Sequence, residues 1–336
     1  MHLWQIRHIP NLRQNLFSLT SVFATGAATI FLGCFALSCS LFGQAASEAP
    51  PEQTTTAAKV VADSAGAKAA AEFMTKVRQS LSERSSVQAE IEQTVSIGAQ
   101  QFVASGRYVS SGPKLRLEYT IKPDQGISGS LLEVCDGKEL WSLIKVADTR
   151  RVTLRDIREI KAAIAADRAI PDAVLTAELG LGGLTALFAS LERTMVFDAM
   201  KHETSDDHPR TIVQGKWKPE IRNRWPRGTD DSLPVYVPDM VRIAVDPATM
   251  FPERIVYIKR QVEKDKKVYR AMVSLQFRNV TFDGAIDDQE FTFVTPDDVV
   301  PEDITRQYLD RLKKGAEQSA GKEAPPSEVP SKPTGR

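Results

Sequence analysis

Residues 106–146 read GRYVSSGPKLRLEYTIKPDQGISGSLLEVCDGKELWSLIKV, and this stretch decides the fold. Within it Leu115, Leu117, Tyr119 and Ile121 alternate with Arg116, Glu118, Thr120 and Lys122. A two-residue repeat of this kind marks an antiparallel strand with one face in a core and the other in water. Leu131-Leu132-Glu133-Val134 follows, then Asp136-Gly137, then Leu140-Trp141-Ser142-Leu143-Ile144. Asp-Gly between two apolar runs predicts a tight hairpin, because both turn residues must tolerate positive φ. Three strands in close succession predict a large antiparallel sheet with one apolar face.

The pattern extends in both directions. Upstream, Val87, Ala89, Ile91, Val95 and Ile97 alternate with polar residues, and Phe102 to Val109 continues the meander. Before them, Ala70, Phe73, Met74, Val77 and Leu81 recur at helical spacing and read as a packing helix. Downstream of Val146, Ile157, Ile160 and Ile164 predict a helix with Thr153 as its cap. Pro171 suits the first turn of a second helix, and Leu184, Leu187, Phe188 and Leu191 predict a third. This helical insert, about residues 155–193, interrupts a sheet and is expected to lie across its apolar face. Strands resume at Met195–Ala199, Thr211–Trp217, Val241–Val245, Arg254–Lys259 and Val268–Phe277. In the last, Tyr269, Ala271, Val273, Leu275 and Phe277 are expected to face inward. Phe291-Thr292-Phe293 reads as a short closing strand, and Ile304, Tyr308, Leu309 and Leu312 as a terminal helix.

The ends differ in character. Residues 1–16 carry Arg7 and Arg13, and Phe17 to Phe42 then runs without a charge. A basic start before an apolar run is a secretory signal or a membrane anchor. Three outcomes stay open: cleavage after Gly43-Gln44-Ala45, lipidation of Cys34 after Phe31-Leu32-Gly33, or an uncleaved span. Each places the rest of the chain outside the cytoplasm, in the periplasm or cell envelope. Residues 1–45 are thus a signal peptide or anchor, 46–65 an Ala, Thr, Glu and Pro-rich linker, 66–314 the sheet domain with its insert, and 315–336 a tail of disordered composition.

Lys plus Arg and Asp plus Glu number 43 each, so no net field draws in nucleic acid or an anionic membrane. Of the three cysteines only Cys135 lies outside the leader, which excludes a disulfide framework and a cysteine metal cage.

From the first helix onward the residues resemble a family: the periplasmic carriers that sort outer-membrane lipoproteins, LolA and its LolA-like relatives. The likeness runs from about Ala67 to Pro301. It includes Gln93-Thr94, Gly106-x-Tyr108, Pro113-x-Leu115-Arg116-x-Glu118-Tyr119 and Val134-x-Asp136-Gly137-Lys138-x-Leu140-Trp141. Asp246-Pro247, Phe251-Pro252 and Phe291-x-Phe293-x-x-Pro296 complete it. The resemblance implies an α+β fold, a LolA-like incomplete antiparallel β-barrel (half-barrel) with covering helices. Its concave apolar face would hold acyl chains of a lipoprotein or lipid, taken from and passed to membrane-bound lipoprotein machinery, without catalysis. Gly112 stands where the carriers place a basic residue before the strand proline, and the insert is longer than theirs.

On that resemblance Leu115, Leu117, Tyr119, Trp141, Leu143 and Phe277 would line the cavity; periodicity alone fits a closed, packed core equally well. A tethered envelope sensor or protein-interaction module on the same fold is the alternative function. Arg116 and Glu118 read as a solvated surface pair. His202, Glu203, Asp206, Asp207 and His208 crowd together before Pro209 and read as an exposed loop rather than a metal site. Gly180-x-Gly182-Gly183 lacks the Lys-Ser/Thr of a phosphate cradle and reads as a helix-to-helix turn. Trp217 and Trp225, with Arg222, Arg224 and Arg227, read as a loop whose tryptophans pack back on the sheet. With no Gly-x-Ser-x-Gly, and no histidine placed beside a serine or Cys135, the sequence predicts no enzyme, no metal and no cofactor.

Overall fold

The computed structural model describes residues 57–97, 100–121, 128–166, 179–205, 208–223, 225–228, 231–263 and 266–320. The alternating segments become β1 (Ser86–Ile97), β2 (Gln100–Ser111), β3 (Lys114–Ile121), β4 (Gly129–Cys135), β5 (Glu139–Val146) and β6 (Thr149–Asp156). After the insert come β7 (Met195–Ser205), β8 (His208–Trp217), β9 (Met240–Asp246), β10 (Phe251–Glu263), β11 (Lys266–Phe282) and β12 (Glu302–Asp303). They form one 12-stranded sheet in the order β12-β6-β5-β4-β3-β2-β1-β11-β10-β9-β8-β7. Every neighbouring pair is antiparallel except β12 with β6. The end strands β7 and β12 do not pair with each other, so the sheet is open, a half-barrel rather than a closed barrel.

Helices α1 (Ala57–Glu83), α2 (Ile157–Ala166), α3 (Leu179–Thr194), α4 (Pro219–Arg222) and α5 (Thr305–Ala320) complete the fold. Residues directly opposite in a ladder share a face, and the register therefore defines what points inward. Ala89, Tyr108, Leu117, Glu133, Ser142 and Thr153 form one inward row across β1 to β6. Met74 and Val77 of α1 and Leu184, Leu187, Phe188 and Leu191 of α3 share a buried core with the inward residues of β1, β2 and β3. The amphipathic spacing of α1 and α3 thus serves a single purpose: each helix presents its apolar stripe to the concave side of the sheet.

The convex side of β2 to β6 has a cover of its own. Residues 283–303 cross it as a strap. Phe293 stacks on Trp141 with ring centroids 5.2 Å apart, and Phe291 is buried. Strap carboxylates meet basic side chains of the sheet: Asp288 with Lys114 (2.7 Å), Glu290 with Arg107 and Arg116, Asp298 with Arg150 (3.0 Å) and Glu302 with Arg151 (2.8 Å).

Several boundaries differ from the expectation, each for a local reason. Helix α2 is capped by Asp156, whose carboxylate accepts from the amides of Arg158 (2.8 Å) and Glu159 (3.1 Å); Thr153 lies within β6 instead. The β4–β5 connection is Asp136-Gly137-Lys138, with Gly137 at φ +92° and Asp136 accepting from the amides of Lys138 and Glu139, so one left-handed residue suffices. Phe291 ends a 3-10 turn (Asp288–Phe291) and Phe293 is not in a strand; the closing strand is β12. Helix α1 begins at Ala57, inside the stretch read as linker, and α5 runs to Ala320, past Gly315. A β-bulge at Met272 of β11, opposite Tyr257 and Ile258 of β10, reverses the phase of β11. Met272, Val273, Leu275 and Phe277 are buried, whereas Tyr269 is 54% exposed and, with Ala271, faces a convex groove of about 460 Å³. The leader, Pro171, Asp206, Asp207, Arg224 and residues 321–336 lie outside the described residues. Among the described residues no helix is long and apolar enough to cross a membrane.

Surface carboxylates fasten these ends, and their titration carries a prediction. Asp156 beside Arg158, Asp231 beside Arg222, Asp283 on the amide of Ser85 and Glu302 beside Arg151 are all held below the usual carboxylate range by those partners. A lowered folded-state value means stability that is present above the unfolded value and lost as pH falls through the folded one. Thermal melts followed by circular dichroism are expected to hold a constant midpoint from neutral pH down to about 5. The midpoint then drops progressively below about 4, where free carboxyls titrate. A midpoint that rises on acidification contradicts this reading.

Candidate ligand-binding face

The concave face has two chemically distinct halves. From β3 across β1 to β9 it is apolar: Leu115, Leu117, Tyr119, Ile91, Phe277, Leu275, Ile255 and Ile243 belong to one buried cluster. Aromatic rings order its centre, with Tyr108 edge-on to Phe277 at 6.0 Å and Phe251 edge-on to Phe277 at 5.6 Å. Four of the six residues expected to line a cavity, Leu115, Leu117, Tyr119 and Phe277, meet here beneath α1 and α3, each no more than 4% exposed.

Trp141 and Leu143 do not join them. Leu140, Ser142 and Ile144 are the inward residues of β5, since Leu140 opposes Cys135, Ser142 opposes Glu133 and Ile144 opposes Leu131. Trp141 and Leu143 therefore occupy the convex face, Trp141 under Phe293 of the strap. In Leu140-Trp141-Ser142-Leu143-Ile144 both phases contain large apolar residues, because both faces of β5 are covered. Strict alternation cannot choose between them.

Helix α3 is seated on the sheet by the paired glycines. Gly182 and Gly183 interrupt the helical conformation, with Gly183 at φ +64°. A Cβ at Gly183 would lie 2.6 Å from the Tyr108 hydroxyl. This close approach lets the amide of Leu184 donate to that hydroxyl at 3.2 Å. Arg78 of α1 reaches Glu192 of α3 at 2.8 Å, joining the two covering helices. Burial pushes the Tyr108 phenol above its ordinary range, so it stays protonated at any physiological pH.

Toward β4, β5 and β6 the same face turns polar. Glu133 is 3% exposed, Arg155 7%, Ser142 4% and Thr153 5%. The Arg155 guanidinium approaches the Glu133 carboxylate at 3.4 Å, and Ser142 Oγ donates to it at 3.2 Å. Arg155 also lies over the ring of Tyr308 in α5, 5.5 Å from its centroid. The Tyr119 hydroxyl, on the next inward row beside Glu133, has no hydrogen-bond partner among the described residues. Burial and then the Glu133 charge push its phenol well above the usual range.

Neither Glu133 nor Arg155 stood out in the sequence. Glu133 sits among apolar neighbours in Leu131-Leu132-Glu133-Val134 and resembles an outward polar residue. β6 went unread because its apolar Val152 and Leu154 face the strap while Thr153 and Arg155 face inward.

The remaining candidates are structural. Arg116 and Glu118 pair on the convex face, and Arg116 also donates to the Glu290 carbonyl of the strap at 3.2 Å, so the pair is only partly solvated. Of the histidine-rich segment, His202 and Glu203 lie in β7 and His208 begins β8, while Asp206 and Asp207 lie outside the described residues. There His202 Nδ1 bonds to Thr211 Oγ1 (3.0 Å) and His208 Nε2 meets Glu253 (3.0 Å). Trp217 packs edge-on against Trp225 at 4.7 Å and donates to the Pro238 carbonyl. Beneath this loop the buried Lys259 ammonium donates to the carbonyls of Leu233 (2.8 Å), Pro234 (2.9 Å) and Val237 (2.7 Å), which fixes the loop over one end of the half-barrel. Burial raises the Cys135 thiol, the opposite of what activates a nucleophilic cysteine.

No protein-family model matches the chain, and no curated protein matches it in sequence. Solved structures align over about two thirds of its length. The lipoprotein LppX of Mycobacterium tuberculosis aligns over 66% of this chain and 98% of its own, with 11% identity and a TM-score of 0.34. LprF of Mycobacterium bovis covers 66% and 95%, with 10% identity and a TM-score of 0.32. A DUF1329 family protein of Desulfovibrio piger covers 68% and 97%, with 10% identity and a TM-score of 0.32.

Proposed function

We propose that the protein is a non-catalytic cell-envelope carrier that binds the acyl chains of a lipid or lipoprotein on its concave face. One observation carries this reading: the apolar half of that face is covered by helices rather than by a second sheet. A helix can be exchanged for a ligand in a way that a hydrogen-bonded strand cannot. Helix α3 reaches the sheet through Leu184, Leu187, Phe188 and Leu191. Burying one such side chain is worth about 1.5–3 kcal/mol and one methylene about 0.8 kcal/mol, so a chain of about 14 methylenes replaces what four of them contribute. Exchange of α3 for an acyl chain is therefore close to balanced, as reversible carriage requires. The basic start and apolar run of the leader, outside the described residues, support export. Donor and acceptor lipoprotein machinery in the membrane would be the partners.

The near-complete burial of Leu115, Leu117, Tyr119 and Phe277 favours a second reading, an envelope interaction module whose face stays shut. Photolabelling separates the two. The full chain is irradiated with a phosphatidylcholine bearing a diazirine at mid-chain, and labelled peptides are mapped by mass spectrometry. Label on β3 and α3, competed by unlabelled lipid, is expected. Label confined to the convex face, or none above that of an unrelated protein, overturns the carrier reading. A protein partner that co-purifies stoichiometrically in that case selects the module.

A further inference from the structure

We infer that the convex groove of β7 to β11 docks an extended acidic segment of a partner protein. That segment carries carboxylates two positions apart and an apolar residue two positions further on. The inference goes beyond the carrier reading and holds whether the concave face carries lipid or stays shut.

The convex side of the sheet is covered unevenly. Over β2 to β6 the strap holds on by two devices, carboxylates set on basic side chains and Phe293 stacked on Trp141. The groove of about 460 Å³ on the other half offers the same chemistry, and every residue lining it belongs to β7 to β11. Its carboxylates are already engaged. Glu253 meets Arg210 at 2.6 Å and His208 at 3.0 Å, and Glu203 meets Lys201 at 2.9 Å. Arg242 and Arg254 are exposed and donate only to neutral groups, Gln214 Oε1 at 3.4 Å and Ser274 Oγ at 3.1 Å. Among the described residues no carboxylate answers these two guanidiniums.

The register selects the partner. Ala244 opposes Arg254 and Arg242 opposes Val256, so the two arginines are diagonal neighbours about 7–8 Å apart at the backbone. An extended chain returns to the same face every second residue, after about 6.6 Å. Carboxylates at i and i+2 therefore reach one guanidinium each. The residue at i+4 meets Ile258 and Ala271, which oppose each other one pair further along β10 and β11, beside the exposed ring of Tyr269. An anionic bilayer fits this groove poorly. It would press its phosphates against Glu203 and Glu253 as well, and Ile258, only 6% exposed, lies too deep for a flat surface.

The full chain is titrated at low ionic strength with a fluorescein-labelled peptide containing Ser-Asp-Ser-Asp-Ser-Leu-Ser, followed by fluorescence anisotropy. Saturable binding that weakens as salt is raised is expected. The same peptide with Asn in place of each Asp is expected to bind at least about fivefold more weakly. Arg242→Gln with Arg254→Gln, both on the exposed face, is expected to abolish the difference between the two peptides. If that variant does not fold, the comparison of the two peptides on the wild type decides alone. Equal binding of both peptides, or none at about 1 mM peptide, overturns the docking site. Binding to phosphatidylglycerol vesicles in place of the peptide, lost in the same variant, makes the groove a membrane contact and overturns it too. None of these outcomes bears on lipid carriage by the concave face.

Discussion

Arg155→Met will destabilise the protein by about 3–5 kcal/mol, while the double replacement Glu133→Met with Arg155→Met will cost far less than the single one. The asymmetry follows from burial. Arg155 and Glu133 are 7% and 3% exposed, so removing the guanidinium leaves a carboxylate that water cannot reach. Ser142 supplies one donor, at 3.2 Å, and cannot neutralise the charge. Removing both groups takes away the two opposite charges together. Urea denaturation of the two single variants and the double variant closes a cycle whose coupling is expected to exceed about 2 kcal/mol. Additive losses would mean that each group is held by other contacts, and that the pair is not the unit that matters. The single variant should also lose α5 first, because Arg155 lies against Tyr308 and the Thr305 hydroxyl accepts from the Asp156 amide at 2.8 Å. Hydrogen exchange in residues 305–309 reads that loosening directly.

These two residues mark where sequence reading stops. Periodicity located the strands wherever one face is wet: Leu115, Leu117 and Tyr119 alternate cleanly because Arg116 and Glu118 lie on the charged convex side. It assigned α1 and α3 from apolar spacing for the same reason. The half-barrel itself came from the resemblance in Gly106-x-Tyr108 and its neighbours, and the observed strand order agrees with it. Where a strand is covered on both faces the rule fails. β5 is apolar in both phases, and Trp141 and Leu143 were consequently assigned to the wrong side. β6 inverts the usual sense, with polar residues inward and apolar ones under the strap, so no hydrophobic count could have found it. The bulge at Met272 is a backbone event with no residue signature, and it turns Tyr269 outward. The strap is the common cause of the first two. A segment from residues 283–303 creates a second buried face on β4 to β6, and nothing in those strands announces a partner more than a hundred positions away.

The same separation of faces explains why the two halves of the concave side can differ. Apolar cover by α1 and α3 is generic and replaceable, which suits acyl chains of varied length.

Gly106→Ala is the substitution expected to do most damage for the least added volume. β2 approaches β3 so closely at this position that a Cβ would lie 1.7 Å from the Glu118 carbonyl oxygen and 3.1 Å from Tyr119 Cα. Both are backbone atoms, so no rotamer change relieves the overlap, and the strands must part. Glycine is used in a strand for just such approaches. Parting them displaces the ladder in which Gly106 opposes Tyr119 and Ile91, and with it the seat of α3 on Tyr108. A loss of at least about 3 kcal/mol is expected, at or beyond the upper end of ordinary overpacking. Gly66→Ala supplies the opposite sign. It lies in α1 with nothing within 4 Å of its added methyl, and should gain about 0.5–1 kcal/mol from helix propensity. Chemical denaturation of the two variants beside the wild type tests the pair. If Gly106→Ala were as stable as the wild type, β2 and β3 would have to be further apart than the register shown here, and the placement of Tyr119 and Leu117 beneath α3 would fall with it.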